Sequence, residues 1–353
     1  MNEESFVVEQ ASIDIIKQRI EICCLNFLQS LVAAESSPTA SVSFTSERLQ
    51  NCDRVYAVRL SNANVHSFTF VARALCQIYT LLVSESSATK RDLFYEQKDL
   101  YGEQRNLDSS VTKVCKLLLT SRTGSNVLAG GRGIMMGNLK IVENGTVLDC
   151  SASPVVIKSL SSNATLISNA RFILVVEKEA TFQKLIQEDF FFIFHPALLV
   201  TGKGYPDIAT RQLLKNISSA NNIPAFGLVD SDPHGIEIFI TYKYGTKKPK
   251  FETGNCNILN FEWIGLSRLE ASRYPIPEDQ FLRMNKREIK KISGLRERVS
   301  MLKDWVLLRE LDCLLNSGSK LELEAVSGIA PGFLCRKVLA DKLVAFVRSS
   351  VVE

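Results

Sequence analysis

The sequence lacks paired cysteines, long apolar runs and a strong excess of either charge. Its nine cysteines are scattered and form no CxxC pair, which argues against a disulfide framework or a structural zinc site and favours a reducing compartment. No apolar run reaches the roughly 18 residues that a membrane span needs, so no membrane partner is expected. The net charge of +4, from 42 Lys and Arg against 38 Asp and Glu, permits nucleic acid as a partner without arguing strongly for it.

A recognisable ATP-binding motif is also missing. Glycines at 130, 131, 133 and 137 are suggestive of a phosphate loop, but neither GxxxxGK[ST] nor a strand–GxGxxG–helix context is present. We therefore set the phosphate-loop interpretation aside.

The first 160 residues are predicted to be mostly helical. Residues 12–33 have apolar side chains at alternating spacings of three and four, which predicts an amphipathic helix, although periodicity cannot tell whether its apolar face meets its own core or a partner. Further helices are predicted over 66–83, around "RDLFYEQK" and from about 107 to 120. A β-prone segment at 126–150 follows, with a hairpin signal at Asn144-Gly145. Three helices followed by a β-ribbon are typical of a winged helix.

From residue 171 the pattern changes to apolar runs that alternate with helical stretches. The runs "FILVV", "ALLVT" and "AFGLV" are continuous rather than alternating, which indicates a parallel sheet covered by helices on both faces. From about 285 onward the sequence is predicted to be mostly helical.

Acidic residues follow two of these strands. Glu177 comes directly after "FILVV", and Asp230 and Asp232 follow "AFGLV". The carboxyl ends of parallel strands share one edge of the sheet, where ligands bind. Three carboxylates there repel each other unless a cation holds them, and hard oxygen ligands suit Mg²⁺. A lone DxD is usually a solvated turn, but strand–Glu–helix followed by strand–DxDPxG–helix is far more specific.

These motifs carry a family resemblance. "VVEKEATF", "TGKGYPD" and "LVDSDPHG" resemble the toprim metal-binding domain of topoisomerases and primases. Together with "KRDLFY" upstream, the chain from about residue 66 to its end resembles the sporulation-eleven family of meiotic double-strand-break transesterases, which is related to the A-type component of archaeal topoisomerase VI.

The resemblance implies an α/β protein with a winged-helix (CAP-like) tyrosine domain, a toprim domain with a parallel sheet, and C-terminal helices. We divide the chain accordingly into a possible partner-docking helix at 1–40, the winged-helix domain at 41–160 and the toprim domain with its helical elaboration at 161–353.

The resemblance also suggests the nucleophile. The family motif, Arg-Asp-Ile-Tyr-Tyr or Arg-Asp-Ile-Phe-Tyr, ends in the catalytic tyrosine, which corresponds to Tyr95. Tyr101 stands where the family usually has phenylalanine and is expected to be a packing residue. Arg91 is the candidate phosphate ligand, against the alternative of a surface salt bridge with a neighbouring acid. Helical spacing predicts that Arg91, Tyr95 and Lys98 share one face.

Several basic residues are expected to hold DNA. Lys203 lies between two glycines, where a phosphate can approach the backbone, and Arg132 lies in the predicted wing, where the family usually has lysine. Tyr205 is a candidate contact to sugar or base. For each, the alternative is a solvated loop residue. "TKKPK" at 246–250 could be a nuclear localisation patch but is more often a solvated loop.

The resemblance implies an Mg²⁺-dependent enzyme of meiotic chromosomes in the nucleus. Tyrosine and metal would come from different subunits of a homodimer on double-stranded DNA, and each 5′ end would become attached to Tyr95. A B-type topoisomerase VI-like subunit with a GHKL ATPase and transducer region, and meiotic accessory proteins, are implied partners. We therefore predict that Ile16, Ile20 and Phe27 dock on the B-type subunit.

Other functions remain open at this stage. The chain could be the A-type component of a topoisomerase VI proper, a toprim nuclease or phosphatase that hydrolyses with water, or a catalytically idle DNA-binding paralogue. Haloacid-dehalogenase phosphatases also place DxD after a strand, but the Thr or Val that comes next in those enzymes is absent from "DSDPHG".

Overall fold

The computed structural model describes residues 12–36, 41–46, 55–122, 124–128, 131–143, 145–160, 163–246, 256–258, 260–267 and 270–343. The chain forms two compact units, one of residues 1–130 with 246–255 and one of residues 131–245 with 256–353. The predicted division at residues 40 and 160 stays a prediction. The "TKKPK" segment lies largely outside the described residues.

The first unit is mainly helical. Its helices are α1 (Ile13–Ser36), α2 (Val65–Val83), α3 (Lys90–Glu96), α4 (Lys98–Tyr101) and α5 (Gln104–Leu117). Its short strands are β1 (Ser43–Thr45), β2 (Ala57–Arg59), β3 (Ala88–Thr89) and β4 (Val127–Leu128). Strands β1 and β2 pair antiparallel, and β3 pairs with β4 in parallel. The winged-helix assignment of this unit stays a prediction.

The apolar face of α1 belongs to the core of its own unit. Ile16 is 0% and Ile20 3% exposed, and Phe27 stacks on Phe44 with ring centroids 4.5 Å apart. The prediction that these residues dock on a B-type partner is therefore wrong: the strand pair β1–β2 and helix α2 already cover that face, burying it as the hydrophobic effect favours.

The second unit contains the remaining elements. Its strands are β5 (Ile134–Gly137), β6 (Leu139–Glu143), β7 (Thr146–Asp149), β8 (Val155–Val156), β9 (Thr165–Ser168), β10 (Phe172–Val176), β11 (Ala197–Thr201), β12 (Ala225–Leu228), β13 (Phe261–Trp263), β14 (Leu282–Arg283) and β15 (Ser319–Lys320). Its helices are α6 (Glu179–Gln187), α7 (Phe190–Ile193), α8 (Ile208–Asn221), α9 (Pro233–Tyr244), α10 (Lys286–Met301), α11 (Trp305–Ser317) and α12 (Leu323–Ser327). Short 3₁₀ turns (Ala271–Arg273 and Glu278–Gln280) and a π-helix (Leu334–Leu339) complete it.

A six-stranded sheet organises this unit, in the order β13-β12-β10-β11-β5-β8. The first four strands are parallel, which confirms the parallel sheet predicted from the continuous apolar runs. Every side chain of β11 is buried, as expected for a strand covered on both faces. The C-terminal helices α10 and α11 confirm the predicted helical region.

Strands β5 to β7 come from the β-prone segment predicted at 126–150. Strand β5 pairs antiparallel with β11 and with β8 at the edge of this sheet, because its buried apolar side chains extend the core there. Strands β6, β7 and β9 form a separate antiparallel sheet. The predicted hairpin joins β6 to β7, with Gly145 at φ +76°, where glycine has no steric penalty; Asn144 lies outside the described residues.

Two further sequence-based expectations can be compared with this fold. Within the described ranges, no helix is both long and apolar enough to cross a bilayer. Among the eight cysteines of the described ranges, no disulfide joins one to another.

Candidate active site

Helix α3 presents Tyr95 and Arg91 to solvent. The helix begins with a capping box, in which the Thr89 hydroxyl accepts from the Asp92 backbone N–H and the Asp92 carboxylate accepts from that of Thr89. This reciprocal pairing fixes the first turn. Leu93 and Phe94 are buried and anchor the opposite side. Tyr95 is consequently 68% exposed, so its hydroxyl is accessible to a macromolecular substrate.

Tyr101 has the opposite environment. It is 1% exposed, and its hydroxyl donates to Gln77 Oε1 at 2.9 Å. Burial raises the pKa of this phenol well above its usual range, which disfavours the phenolate that attacks phosphorus. The geometry supports the predicted packing role of Tyr101.

Arg91 is left without a partner in the described part of the chain. Asp92 is engaged in the capping box, and Glu96 accepts from Gln77 Nε2 at 2.9 Å and lies 3.4 Å from Arg73. The acids that could have held Arg91 in a surface salt bridge therefore bind other residues. Its guanidinium, exposed one helical turn before Tyr95, remains available for a phosphate.

Lys98 does not continue the face of α3. The helix ends at Glu96, and Gln97 leaves helical geometry at φ −135° before α4 begins at Lys98. The prediction that Arg91, Tyr95 and Lys98 share one helical face is therefore wrong for Lys98, because seven-residue spacing holds only in an unbroken helix. Lys98 is exposed and keeps its candidacy as a DNA contact.

The predicted acids meet at one edge of the six-stranded sheet. Strands β10 and β12 are parallel neighbours, with Val176 opposite Leu228, so Glu177 and Asp230 follow adjacent strand ends. The Asp230 backbone N–H donates to Glu177 Oε2 at 3.0 Å. Asp232 caps helix α9, and its Oδ1 accepts from the Gly235 N–H at 2.6 Å. We refer to Glu177, Asp230 and Asp232 together as the acidic edge.

Gly235 is required for this close packing. A Cβ placed there would lie 2.4 Å from the Asp230 carbonyl oxygen, closer than these atoms can approach, and 3.0 Å from Glu177 Oε2, which is a tight contact. The glycine in "DSDPHG" thus allows α9 to start against the acidic edge.

Burial and mutual repulsion oppose ionisation of the carboxyl groups at the acidic edge. Burial, together with the charges of Asp230 and Asp232, raises the pKa of Glu177 to about 8, although the Asp230 backbone N–H and Lys178 act to lower it. Burial also raises the pKa of Asp230 to about 6, although the Leu323 backbone N–H and Lys178 both act to lower it. Perturbed carboxyl groups of this kind mark functional sites more often than ordinary surface.

The donor chemistry of the acidic edge fits a divalent cation. Carboxylate oxygens are the ligands that Mg²⁺ prefers. Across the described ranges, however, no three acidic, His or Cys side chains are arranged so that they could hold one ion. Asp230 Oδ1 accepts from the Leu323 N–H at 2.8 Å, and the other acids use one oxygen each in the contacts above. The acids must therefore rotate towards one another to share an ion.

Three charged residues near the acidic edge were not identified from the sequence, namely Lys178, Glu322 and Glu324. Lys178 Nζ lies 2.9 Å from Asp230 Oδ2, 3.0 Å from Glu324 Oε2 and 3.4 Å from Glu322 Oε2. Burial disfavours the ammonium, but Asp230 and Glu324 outweigh it and raise the pKa of Lys178, so the side chain stays cationic. Lys178 could have been noticed beside Glu177, whereas Glu322 and Glu324 are distant in sequence.

The predicted DNA-binding residues of this unit differ in availability. Arg132 is exposed, and its guanidinium pairs with none of the described residues; only its backbone N–H is engaged, donating to Asp207. Lys203 has φ +56° and pairs with Glu179 at 2.9 Å. Tyr205 is partly exposed, donates to Glu237 and accepts from Lys291 at 2.9 Å. Arg132 is thus the least constrained of the three.

Comparison with known proteins adds independent information. Residues 172–343 match the family model for the toprim domain of Spo11 and of the A-type component of topoisomerase 6, and residues 66–125 match the model described as "Type IIB DNA topoisomerase". The chain is similar to the meiotic recombination protein spo-11 of Caenorhabditis elegans, at 40% identity over 79% of this chain and 66% of that protein. It is 35% identical to meiotic recombination protein SPO11 of Mus musculus, over 80% of this chain and 72% of the other. It is 31% identical to the A-type component of DNA topoisomerase 6 of Arabidopsis thaliana, over 80% and 67%.

Proposed function

Because this chain belongs to the family of Spo11 and the A-type component of topoisomerase 6, we propose that it is an Mg²⁺-dependent DNA transesterase that makes the double-strand breaks of meiotic recombination. The observation that carries the proposal is the exposed Tyr95 on a capped helix with Arg91 one turn away and unpaired. A hydrolytic nuclease has no use for such a tyrosine.

Tyr95 is the nucleophile in this proposal. Its hydroxyl oxygen attacks the scissile phosphorus and gives up its proton, and the 3′ oxygen leaves as a hydroxyl after taking up a proton. The 5′ end stays joined to Tyr95 through a phosphodiester. A free phenol has a pKa near 10, so at neutral pH the attack needs positive charge at the phosphate. Arg91 supplies it, because a guanidinium can hold two phosphate oxygens at once.

Glu177, Asp230 and Asp232 are the proposed holders of Mg²⁺. When bound there, the ion supplies charge neutralisation at the phosphate and the leaving oxygen. Tyr205 would contact a sugar or base, and Arg132, Lys203 and Lys98 would contact the DNA backbone and position the duplex. Such contacts give affinity without base preference.

The family relationship supports a composite site. In the proposal two copies of the chain pair on DNA, with Tyr95 of one acting beside the acidic edge of the other. A B-type subunit carrying the ATPase, meiotic accessory proteins and a nuclear location complete it. The relatives' names support these expectations: two are meiotic recombination proteins and one is a component of DNA topoisomerase 6.

Topoisomerase VI activity is the second candidate, supported by the 31% identity to the plant topoisomerase component. The two candidates share the cleavage step and differ in the fate of the broken DNA. A topoisomerase reseals the DNA after strand passage, so with ATP and a B-type subunit it would relax a supercoiled plasmid. A break-forming enzyme would leave linear DNA with protein on both ends.

Analysis of DNA ends separates transesterification from hydrolysis. The purified chain, alone and with a B-type subunit, is incubated with Mg²⁺ and plasmid, denatured, and divided between protease-treated and untreated portions. We expect 5′ ends that enter a gel only after proteolysis and 3′ ends that are free hydroxyls. Free 5′ phosphates without proteolysis would instead establish a hydrolytic nuclease.

A further inference from the structure

Lys178 lies where it would compete with a divalent cation for the Asp230 carboxylate. Its ammonium group is 2.9 Å from Asp230 Oδ2, and Asp230 is one of the acids proposed to hold the ion. The contact explains why the three carboxylates do not surround a common point, because Asp230 Oδ2 is already neutralised by Lys178.

Lys178 already contacts two other acids, Glu322 and Glu324, which could hold its ammonium group in place of Asp230. Both carboxylate oxygens of Glu324 lie 3.0 Å from Nζ, and Glu322 Oε2 lies 3.4 Å away. These two acids flank Leu323, whose backbone N–H holds the other oxygen of Asp230. A small rotation could therefore release Asp230 while Lys178 keeps its partners.

We propose that Lys178 is a resident cation that neutralises Asp230 until a divalent ion binds, then shifts fully onto Glu322 and Glu324. Lys178 is thus a positioning residue that sets the affinity of the acidic edge for metal. The inference rests on the proposed function, because it takes the acidic edge to be the metal site.

Competition between Lys178 and the ion predicts a change in Mg²⁺ affinity opposite in sign to the change expected if Lys178 only supports the fold. If Lys178 competes with the ion, Lys178→Met should tighten binding, since the ion no longer has to displace an ammonium group. We expect the Kd for Mg²⁺ to fall about tenfold, a free-energy change typical of a single charge contact. If Lys178 only supports the fold, its loss should leave metal binding unchanged or weaken it.

Calorimetric titration of the full chain with Mg²⁺, and separately with Mn²⁺, measures this directly. Lys184→Met is the matched control, because Lys184 lies on the neighbouring helix α6, donates to the Ser327 carbonyl oxygen at 2.8 Å and pairs with Glu188, and it contacts none of the three acids of the acidic edge. The control should keep the wild-type Kd. Melting curves without metal check folding, and Lys178→Gln replaces Lys178→Met if the latter does not fold.

A double-variant cycle tests whether Glu322 and Glu324 hold Lys178 when the ion binds. Glu322→Gln with Glu324→Gln should weaken Mg²⁺ binding when Lys178 is present, because the ammonium then has only Asp230 left. The same pair in the Lys178→Met background should have no effect. An equal loss in both backgrounds would show that the two glutamates act through their own charge and would overturn this part of the proposal.

The outcomes also separate this inference from the proposed function. If Glu177→Gln abolishes Mg²⁺ binding but Lys178→Met does not tighten it, the metal site stands and only the role of Lys178 is refuted. Binding that Lys178→Met tightens and Lys184→Met leaves unchanged supports it. Absence of binding in the wild type, in Lys178→Met and in Lys178→Gln refutes the metal site and the inference with it.

Discussion

Glu177→Gln should make the metal-free protein more stable, although it removes a buried group. The pKa of Glu177 is raised from 4.5 to about 8, so the folded state holds a proton that the unfolded chain has released. Stability therefore falls as pH rises from about 4.5 to about 8. The difference of about 3.5 between the two pKa values corresponds to about 5 kcal/mol at most, at 1.36 kcal/mol for each pH unit. The amide of Gln still accepts from the Asp230 N–H, so little else is lost.

Urea unfolding at pH 5 and pH 8.5, with a chelator present, measures the effect. Both tryptophans, Trp263 and Trp305, lie in the second unit, so their fluorescence reports on the unit that holds Glu177. We expect the variant to match the wild type near pH 5 and to exceed it by about 3–5 kcal/mol at pH 8.5.

Glu288→Gln provides a control with the opposite sign. Burial opposes ionisation of Glu288, but its bonds to Lys320 and to the Asn285 backbone outweigh this effect and lower its pKa. Its replacement should destabilise the unit at both pH values. The reasoning fails if Glu177→Gln also destabilises at pH 8.5, since the carboxylate would then be a structural group rather than one held for a cation.

Three further predictions concern the core, DNA affinity and the start of α9. Ile16→Ala should cost about 2–5 kcal/mol in denaturant unfolding, whereas the half-exposed neighbour Ile15→Ala should cost under about 0.5 kcal/mol; equal small losses would return α1 to a docking role. Arg132→Ala should weaken DNA binding for every sequence and lower the slope of log K against log salt by about 0.9 on duplex DNA, and an unchanged slope would place DNA elsewhere. Gly235→Ala should lower the melting temperature and weaken Mg²⁺ binding through its clash with Asp230, and wild-type values for both would show that α9 can shift freely.

The sheet and its acids could be predicted because each depends on a local signal. A continuous apolar run indicates a strand buried on both faces, and an acid directly after it must lie at the carboxyl edge. The sequence predicted only that Glu177 and Asp230 share this edge, and the structure adds that β10 and β12 are neighbours. The tyrosine was recognisable from its motif, and the structure adds the exposure of Tyr95 and the burial of Tyr101 that distinguish them.

The remaining features depend on contacts between distant residues. Nothing in "EKE" shows that Lys178 turns to Asp230, because Glu322 and Glu324 come from the far end of the chain. The side of α1 that packs inward could not be chosen from periodicity, which is the same for a core and for a partner. The prediction that Lys98 shares the face of Arg91 and Tyr95 was wrong because the helix breaks at Gln97, where no glycine or proline indicates a break.

The central claim is that Tyr95 becomes covalently joined to the 5′ end of broken DNA. The most direct measurement is mass spectrometry of the peptide that retains a nucleotide after nuclease and protease digestion of the trapped complex. We predict that the nucleotide is on Tyr95, and that Tyr95→Phe yields no covalent complex while Tyr101→Phe still does. A nucleotide on another residue, or covalent complexes that persist in Tyr95→Phe, would contradict this mechanism.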